Sequence, residues 1–303
     1  MYNSLKININ HEFKLYTLCF DELSFSTIKK LSYENFIPIS LNDLLVYDRE
    51  LADCRLNRSI VEFYFTCTAA LLLYLMETSN EIDNLIYLDA DIFFFNNPEP
   101  IFYESKNASI VLVEHRYSPN LKGYERNGIY NVSWVGFCRD ENGMAALNWW
   151  RERCLEWCYD RHENGKYADQ KYLDDWPSRF KNVHVIKHIG ANLAPWNIGN
   201  YKIGFDGKIP TVNGQPLIFF HFHGLKKLGE RLYDPNLSSY GLRLEKILID
   251  RIYLPYIRTI ESLQDQPPID YKLRGNGLRL IARKAFFHLQ TIYKRFNNEL
   301  ISV

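Results

Sequence analysis

The sequence predicts an α/β fold with a mixed, mainly parallel sheet flanked by helices, and three observations carry that prediction. Strand-like apolar runs alternate with helix-like ones, the βαβ rhythm that feeds parallel strands. One long apolar segment without Gly or Pro, residues 59–76, reads as a buried helix. Asn97-Pro98 with Pro100 closes the apolar run that follows it.

Taken in order, FKLYTLCF (13–20) reads as a strand, STIKKL as a short helix and FIPISL as a second strand. LIYLDADIFFF (85–95) is a buried strand interrupted by two acids. ASIVLVEH (108–115) and NVSWVGFC (131–138) are strands, and residues 142–162 form a helix whose faces are traced by Ala146, Trp149, Trp150, Arg153 and Trp157. VHVIKHIG (183–190) and PLIFFHFHG (216–224) return to strand. There is no internal repeat.

After Pro267-Pro268 the character changes. Over residues 271–303, Lys272, Arg274, Arg279, Arg283, Lys284, Lys294 and Arg295 stand against the single acid Glu299, while Leu278, Ile281, Ala285, Leu289, Ile292 and Phe296 share one helical face. The division is a domain over 1–265 and a basic amphipathic helical tail over 266–303.

Bulk properties narrow the function. The 36 basic and 36 acidic residues balance, against wholesale nucleic-acid binding. Six cysteines without a CxxC pair read as small apolar residues in a reducing cytoplasm. The start lacks a signal-peptide core, and AALLLYLM (69–76) is too short to cross a bilayer. The expected location is cytoplasmic, with the basic tail holding the protein to an anionic inner membrane face.

Asp89 and Asp91 interrupt an apolar run where charges occur only when something pairs with them. Side chains at i and i+2 on a strand share a face, so both carboxylates reach one site, and carboxylate oxygens suit Mg²⁺ or Mn²⁺. Far along the chain, PLIFF runs into His221-Phe222-His223-Gly224-Leu225-Lys226-Lys227, where imidazole, glycine and cation converge. Adding His221 to two carboxylates tilts the choice toward Mn²⁺, and Lys227 can neutralise a phosphate.

These residues resemble a known family. YLDADIFFF resembles the DxD segment of GT-A glycosyltransferases, and His221, Gly224 and Lys227 match HxxGxxK of the HxxGxxKPW motif of the retaining family-8 enzymes. ADQKYLDDW (168–176) is similar to that family's DQxxLN segment, and IYNVSWVGF (129–137) to its FNxGV segment. The stretch from about Phe13 to Lys227 also looks like bacterial transferases of surface polysaccharide assembly.

The resemblance implies a GT-A fold and transfer of a hexose from a nucleotide diphosphate sugar, a UDP-sugar, to a glycan or lipid-linked acceptor with retention. It implies that Asp89, Asp91 and His221 bind the metal and that Gly224 and Lys227 meet the diphosphate. Asp169 would hold donor-sugar hydroxyls, Gln170 would border the anomeric carbon, and Asn131 and Arg58 would contact the donor.

Three departures stand out. The KPW ending is absent, because Leu228-Gly229 follows Lys227. Asp174-Asp175 replaces the Asn of the DQ segment, offering a general base and with it inverting chemistry. Met1–Lys6 looks like the tail of a helix, so the family's first strand is expected to be missing from this chain, with translation beginning further upstream.

Two rival readings follow from the residues. A metallohydrolase would turn both His221 and His223 to one ion, whereas on a strand running into a loop only one imidazole is expected to reach Asp89 and Asp91. A non-catalytic carbohydrate- or nucleotide-binding protein is the other.

Overall fold

The computed structural model describes residues 1–263, 291, 294–295 and 297–303. The predicted division at residue 265 and most of the predicted tail helix lie outside them. A helix, α1 (Tyr2–Asn8), leads into β1 (Leu15–Cys19), α2 (Glu22–Leu31) and β2 (Phe36–Ser40). Asp21 caps α2 by accepting from Ser24 N at 2.6 Å, and β1 pairs with β2 in parallel, so α2 is the expected crossover. The start of the chain is helical, as the sequence predicts, and residues 1–12 contribute no strand.

Two short helices, α3 (Leu41–Tyr47) and α4 (Arg49–Cys54), precede α5 (Ile60–Thr78). Ser59 and Glu62 close a capping box at its start. By length and composition alone α5 could cross a bilayer, a longer apolar element than the eight-residue run singled out in the sequence. Here it is a core helix: Cys67, Ala69, Ala70, Leu72, Leu75 and Met76 are buried within the main apolar cluster.

The LIYLDADIFFF run is not one strand. It divides at Asp89–Asp91 into β3 (Asn84–Leu88) and β4 (Ile92–Phe94). After α6 (Glu99–Glu104) come β5 (Ile110–Glu114), β6 (Tyr130–Cys138), α7 (Glu141–Glu156), α8 (Trp176–Arg179) and β7 (Val183–Val185). The central sheet has the order β3-β6-β5-β7.

That sheet is mixed but not mainly parallel. β6 runs antiparallel to both neighbours, and only β5 with β7 is parallel. The link from β5 to β6 is a short 3₁₀ segment (Pro119–Asn127), and a parallel return needs a longer crossover.

α7 also stops earlier than the sequence predicts. Arg58 reaches past its last turn to Leu155 O at 3.1 Å and to the Tyr159 hydroxyl, and the chain turns extended at Trp157.

The remaining strands are short: β8 (Ile203–Phe205), β9 (Pro210–Val212), β10 (Gln215–Pro216), β11 (Phe219–His221), β12 (Lys226–Gly229) and β13 (Leu232–Asp234). Two helices, α9 (Lys246–Leu248) and α10 (Leu254–Ser262), are joined by a π-helical turn over Ile249–Tyr253, and β14 (Ile301–Ser302) ends the chain. β14 docks antiparallel on β13, and Lys294, predicted to lie on the basic face of the tail, is instead buried with its Nζ 2.6 Å from Asp234 Oδ2.

Two features position the site. β11 pairs antiparallel with β4, setting His221 opposite Ile92, one residue beyond Asp91. β1 and β3 start together, joined by Lys14 and Glu81 at 2.7 Å, yet do not pair. Between them lies a slot of about 380 Å³, lined by both strands and by one face of α5, with Met1 among its lining residues.

Candidate metal and sugar site

The break between β3 and β4 is what exposes the two acids. Asp89 N still donates to Ser133 O on β6, while Asp91 O accepts from Phe222 N at 2.9 Å, so the turn is tied to both sheets. The carboxylates leave the apolar run at the point where β11 arrives. His221 Nε2 lies 3.1 Å from Asp91 Oδ1 and 3.7 Å from Asp89 Oδ2, and His221 itself is buried.

The charges explain one another. Burial raises the Asp89 carboxyl above its ordinary pKa, with nearby His221 pulling the other way. Burial likewise works against the Asp91 carboxylate, but His221 outweighs it and holds Asp91 low. Burial favours neutral His221, yet Asp91 and Asp89 together raise its pKa. Without a cation, the proton on His221 serves as counter-charge to the acid pair.

A relay of side chains behind His221 fixes its ring. Asn131 Oδ1 lies 3.2 Å from His221 Nδ1 and, being an acceptor, places the hydrogen on that nitrogen. Asn131 Nδ2 faces His115 Nε2 at 3.1 Å and Gln170 Oε1 at 3.2 Å. His115 in turn sits 3.2 Å from Ile129 O, and burial drops its pKa to about 3, so it stays neutral and accepts from Asn131. In neutral His221 the lone pair on Nε2 is therefore aimed at the two aspartates, the orientation that supporting hydrogen bonds give metal-binding histidines.

The Asp169-Gln170 pair lies between α7 and α8 and is tied back to α7. Trp150 Nε1 donates to Asp169 O at 2.9 Å, and Ala168 just before it has φ +47°, a conformation that costs a non-glycine residue energy. Asp169 is buried; burial and then the like charge of Asp89 push its carboxyl up to about 7, and the Thr68 hydroxyl of α5 is its hydrogen-bond partner. Gln170 also donates to Asn127 O at 3.1 Å. Asp89, Asp91, His221, Asn131, Asp169 and Gln170 thus lie in one connected cluster.

The other predicted residues sit differently. Gly224 has φ +75°, and a Cβ there would come 2.3 Å from Asn236 Nδ2, so only glycine fits. Lys227 is engaged by Glu261 Oε1 at 2.8 Å on α10 and lies over the Tyr233 ring. Arg58 is part of the clamp on the end of α7, with its guanidinium carbon 3.9 Å from the Tyr159 ring centroid.

Neither substitute acid is poised as a base. Asp174 accepts from Ile129 N and pairs with Lys171 at 2.6 Å, and Asp175 pairs with Arg179.

Two residues escape the sequence or contradict it. His115 ends a predicted strand, and nothing local marks it as the support of Asn131. His223, expected to point away, has a ring nitrogen within 4.8 Å of ligand atoms on both Asp91 and His221. Donor atoms so spaced, two imidazoles and a carboxylate, can share one first-row divalent ion, with Asp89 alongside as a further oxygen.

What fold and site define is an α/β protein with a carboxylate–imidazole cluster, able to hold a cation, at the end of a split strand. The chain belongs to the family of the Bacillus subtilis proteins YfnD and YfnF, both described as uncharacterized. It is 35% identical to YfnD over 84% of this chain and 82% of that protein, and 31% identical to YfnF over 75% of this chain and 76% of that one. No protein-family model matches the sequence. A solved structure of the galactosyltransferase LgtC in complex with donor and acceptor sugar analogues is similar at a TM-score of 0.46 and 15% identity, covering 74% of this chain and 81% of that one.

Proposed function

We propose that this protein is a metal-dependent glycosyltransferase that moves a hexose from a UDP-sugar to a glycan or lipid-linked acceptor with retention. The observation that carries the reading is His221, fixed by Asn131 and aimed at Asp89 and Asp91, with Gln170 hydrogen-bonded to the same Asn131 and the charge of Asp89 felt by Asp169 beside it. Asp89, Asp91 and His221 would hold Mn²⁺ or Mg²⁺, which supplies positive charge to the departing diphosphate.

Asp169 would take donor-sugar hydroxyls and Gln170 would border the anomeric carbon. Gly224, whose missing side chain makes way for Asn236, would meet the diphosphate through its backbone. Lys227 would reach the diphosphate only by exchanging its Glu261 partner. In the same proposal the protein works in the cytoplasm, with the basic tail against the inner membrane face.

Calorimetric titration with UDP and Mn²⁺ tests the reading. Wild type binds UDP only with the ion, and Asp91→Ala loses the metal-dependent part; no binding by wild type would leave a non-catalytic protein as the better account.

The position of His223 favours a second reading, a His/Asp metallohydrolase with both imidazoles on one ion. A nucleotide-sugar screen separates the two. Transfer or metal-dependent cleavage of one nucleotide sugar supports the first, and metal-dependent hydrolysis of esters with indifference to every nucleotide supports the second.

A further inference from the structure

A continuous aromatic wall starts at the cation centre and leads away from it. The buried Trp196 ring lies edge-on to both imidazoles, 5.1 Å from His221 and 5.5 Å from His223 between ring centroids. Beyond Trp196, Tyr117 and Tyr240 each stand 6.4 Å away, and Tyr124 closes the group at 6.0 Å from Tyr117 and 6.4 Å from Tyr240. The four rings come from three separate places: the end of β5 and its 3₁₀ link, the segment before Asn197, and the 3₁₀ turn Leu237–Tyr240.

Tyr117 and Trp196 pack with Leu121 and Ala194 as a small apolar cluster with Tyr240 against it, so packing accounts for the rings but not for the phenol oxygens. Buried tyrosines ordinarily give their hydroxyl a partner. Here the ring of Tyr117 is buried, yet among the described residues the hydroxyls of Tyr117, Tyr124 and Tyr240 have no protein hydrogen-bond partner, and none is among the buried atoms left without one, so they open to solvent. Tyr124 is 40% exposed, so the outer end is open. The tyrosines also feel one another: burial raises the pKa of Tyr117 and of Tyr240, each with further contributions from neighbouring tyrosines. Phenylalanine would fill the same space, so the hydroxyls are the informative part.

We propose that Tyr124 and Tyr240, backed by the buried rings of Tyr117 and Trp196, form the acceptor subsite and take a neutral pyranoside. The flat, weakly polar face of a sugar ring suits an aromatic surface, and ring hydroxyls supply the partners the phenols lack. The wall itself carries no charge, and on the adjoining 3₁₀ segment Lys122 and Glu125 pair at 3.1 Å beside Arg126. A glycoside on it presents its inner edge to the cation centre across Trp196. Its assignment as acceptor subsite rests on the transferase reading; the binding itself does not.

Saturation-transfer NMR with methyl glycosides of glucose, galactose and N-acetylglucosamine tests the wall, alongside calorimetry of UDP with Mn²⁺ on the same samples. At least one glycoside should bind wild type, and Tyr124→Ala and Tyr240→Ala should each weaken it about tenfold while UDP affinity stays within about twofold. Circular dichroism and melting confirm that each variant folds, and Tyr124→Phe, which keeps the ring, should recover part of the loss.

The proposal is overturned if no glycoside binds, if the alanine variants bind as wild type does, or if they lose UDP instead, which would make the wall a nucleobase platform. Glycoside binding that tracks the wall in a protein that ignores UDP would retain the sugar site and reject the transferase reading.

Discussion

Asn131 holds His221 through a hydrogen bond of 3.2 Å between Oδ1 and Nδ1, and in doing so decides which imidazole nitrogen faces Asp89 and Asp91. Asn131→Ala removes that decision and strands His115. Losing the hydrogen bond that orients a metal-binding imidazole costs about 10- to 100-fold in metal affinity. Mn²⁺ titration by electron paramagnetic resonance should show a loss of that size with the fold intact by circular dichroism; an unchanged affinity would mean that His221 needs no such support.

The second imidazole makes a prediction about the ion. His223→Ala should weaken Mn²⁺ binding about tenfold while weakening Mg²⁺ much less, because imidazole contributes most to first-row transition ions. Equal losses for both ions would assign His223 to the solvent side of the site. Affinity should also climb with pH: Asp91 and Asp89 outweigh burial and raise the His221 pKa, so a proton competes for Nε2 above the ordinary imidazole range as well as below it.

Asp169 couples the site to stability. Its carboxyl is pushed up to about 7 by burial and by Asp89, so between the ordinary carboxylate pKa and that value the folded protein keeps a proton that the unfolded chain has released. Stability of the metal-free protein therefore falls as pH rises through this window and levels off above it. One pKa unit corresponds to roughly 1.4 kcal/mol, so the contribution is of order 4 kcal/mol at most. Urea unfolding at pH 5 and pH 8 should show a smaller drop for Asp169→Asn than for wild type; parallel curves would place the group in a far more watery setting.

Local chemistry was legible in the sequence and long-range pairing was not. Two acids in LIYLDADIFFF announced themselves because charge inside an apolar run needs a partner. That the run breaks there, with β3 joining β6 and β4 joining β11, depends on strands far along the chain, and no periodicity reports it. β11 ends at His221, so His223 lies in the loop beyond it, yet it still comes close to Asp91, where a strand running into a loop is expected to bring only one imidazole. Asn131 and Gln170 were reachable only through resemblance, since a lone amide has no local signature. Lys227 was legible as a cation, but its Glu261 partner lies on a helix that carries no mark of the site.

The tail gives the last prediction. The sequence puts Lys294 among the charges of a lipid-facing helix, but it is buried against Asp234, with 9% and 10% of their side chains exposed. A charge already neutralised inside the protein contributes little to an anionic membrane, where each exposed base adds about 1 kcal/mol. Lys294→Ala should leave liposome binding unchanged and lower stability by about 3–5 kcal/mol, because Asp234 is then buried without its partner. Asp234→Asn with Lys294→Met should recover much of that loss. Sedimentation with vesicles of graded anionic content, together with urea unfolding, checks both halves: a fall in vesicle binding at full stability would show that Lys294 faces lipid and that its contact with Asp234 is incidental.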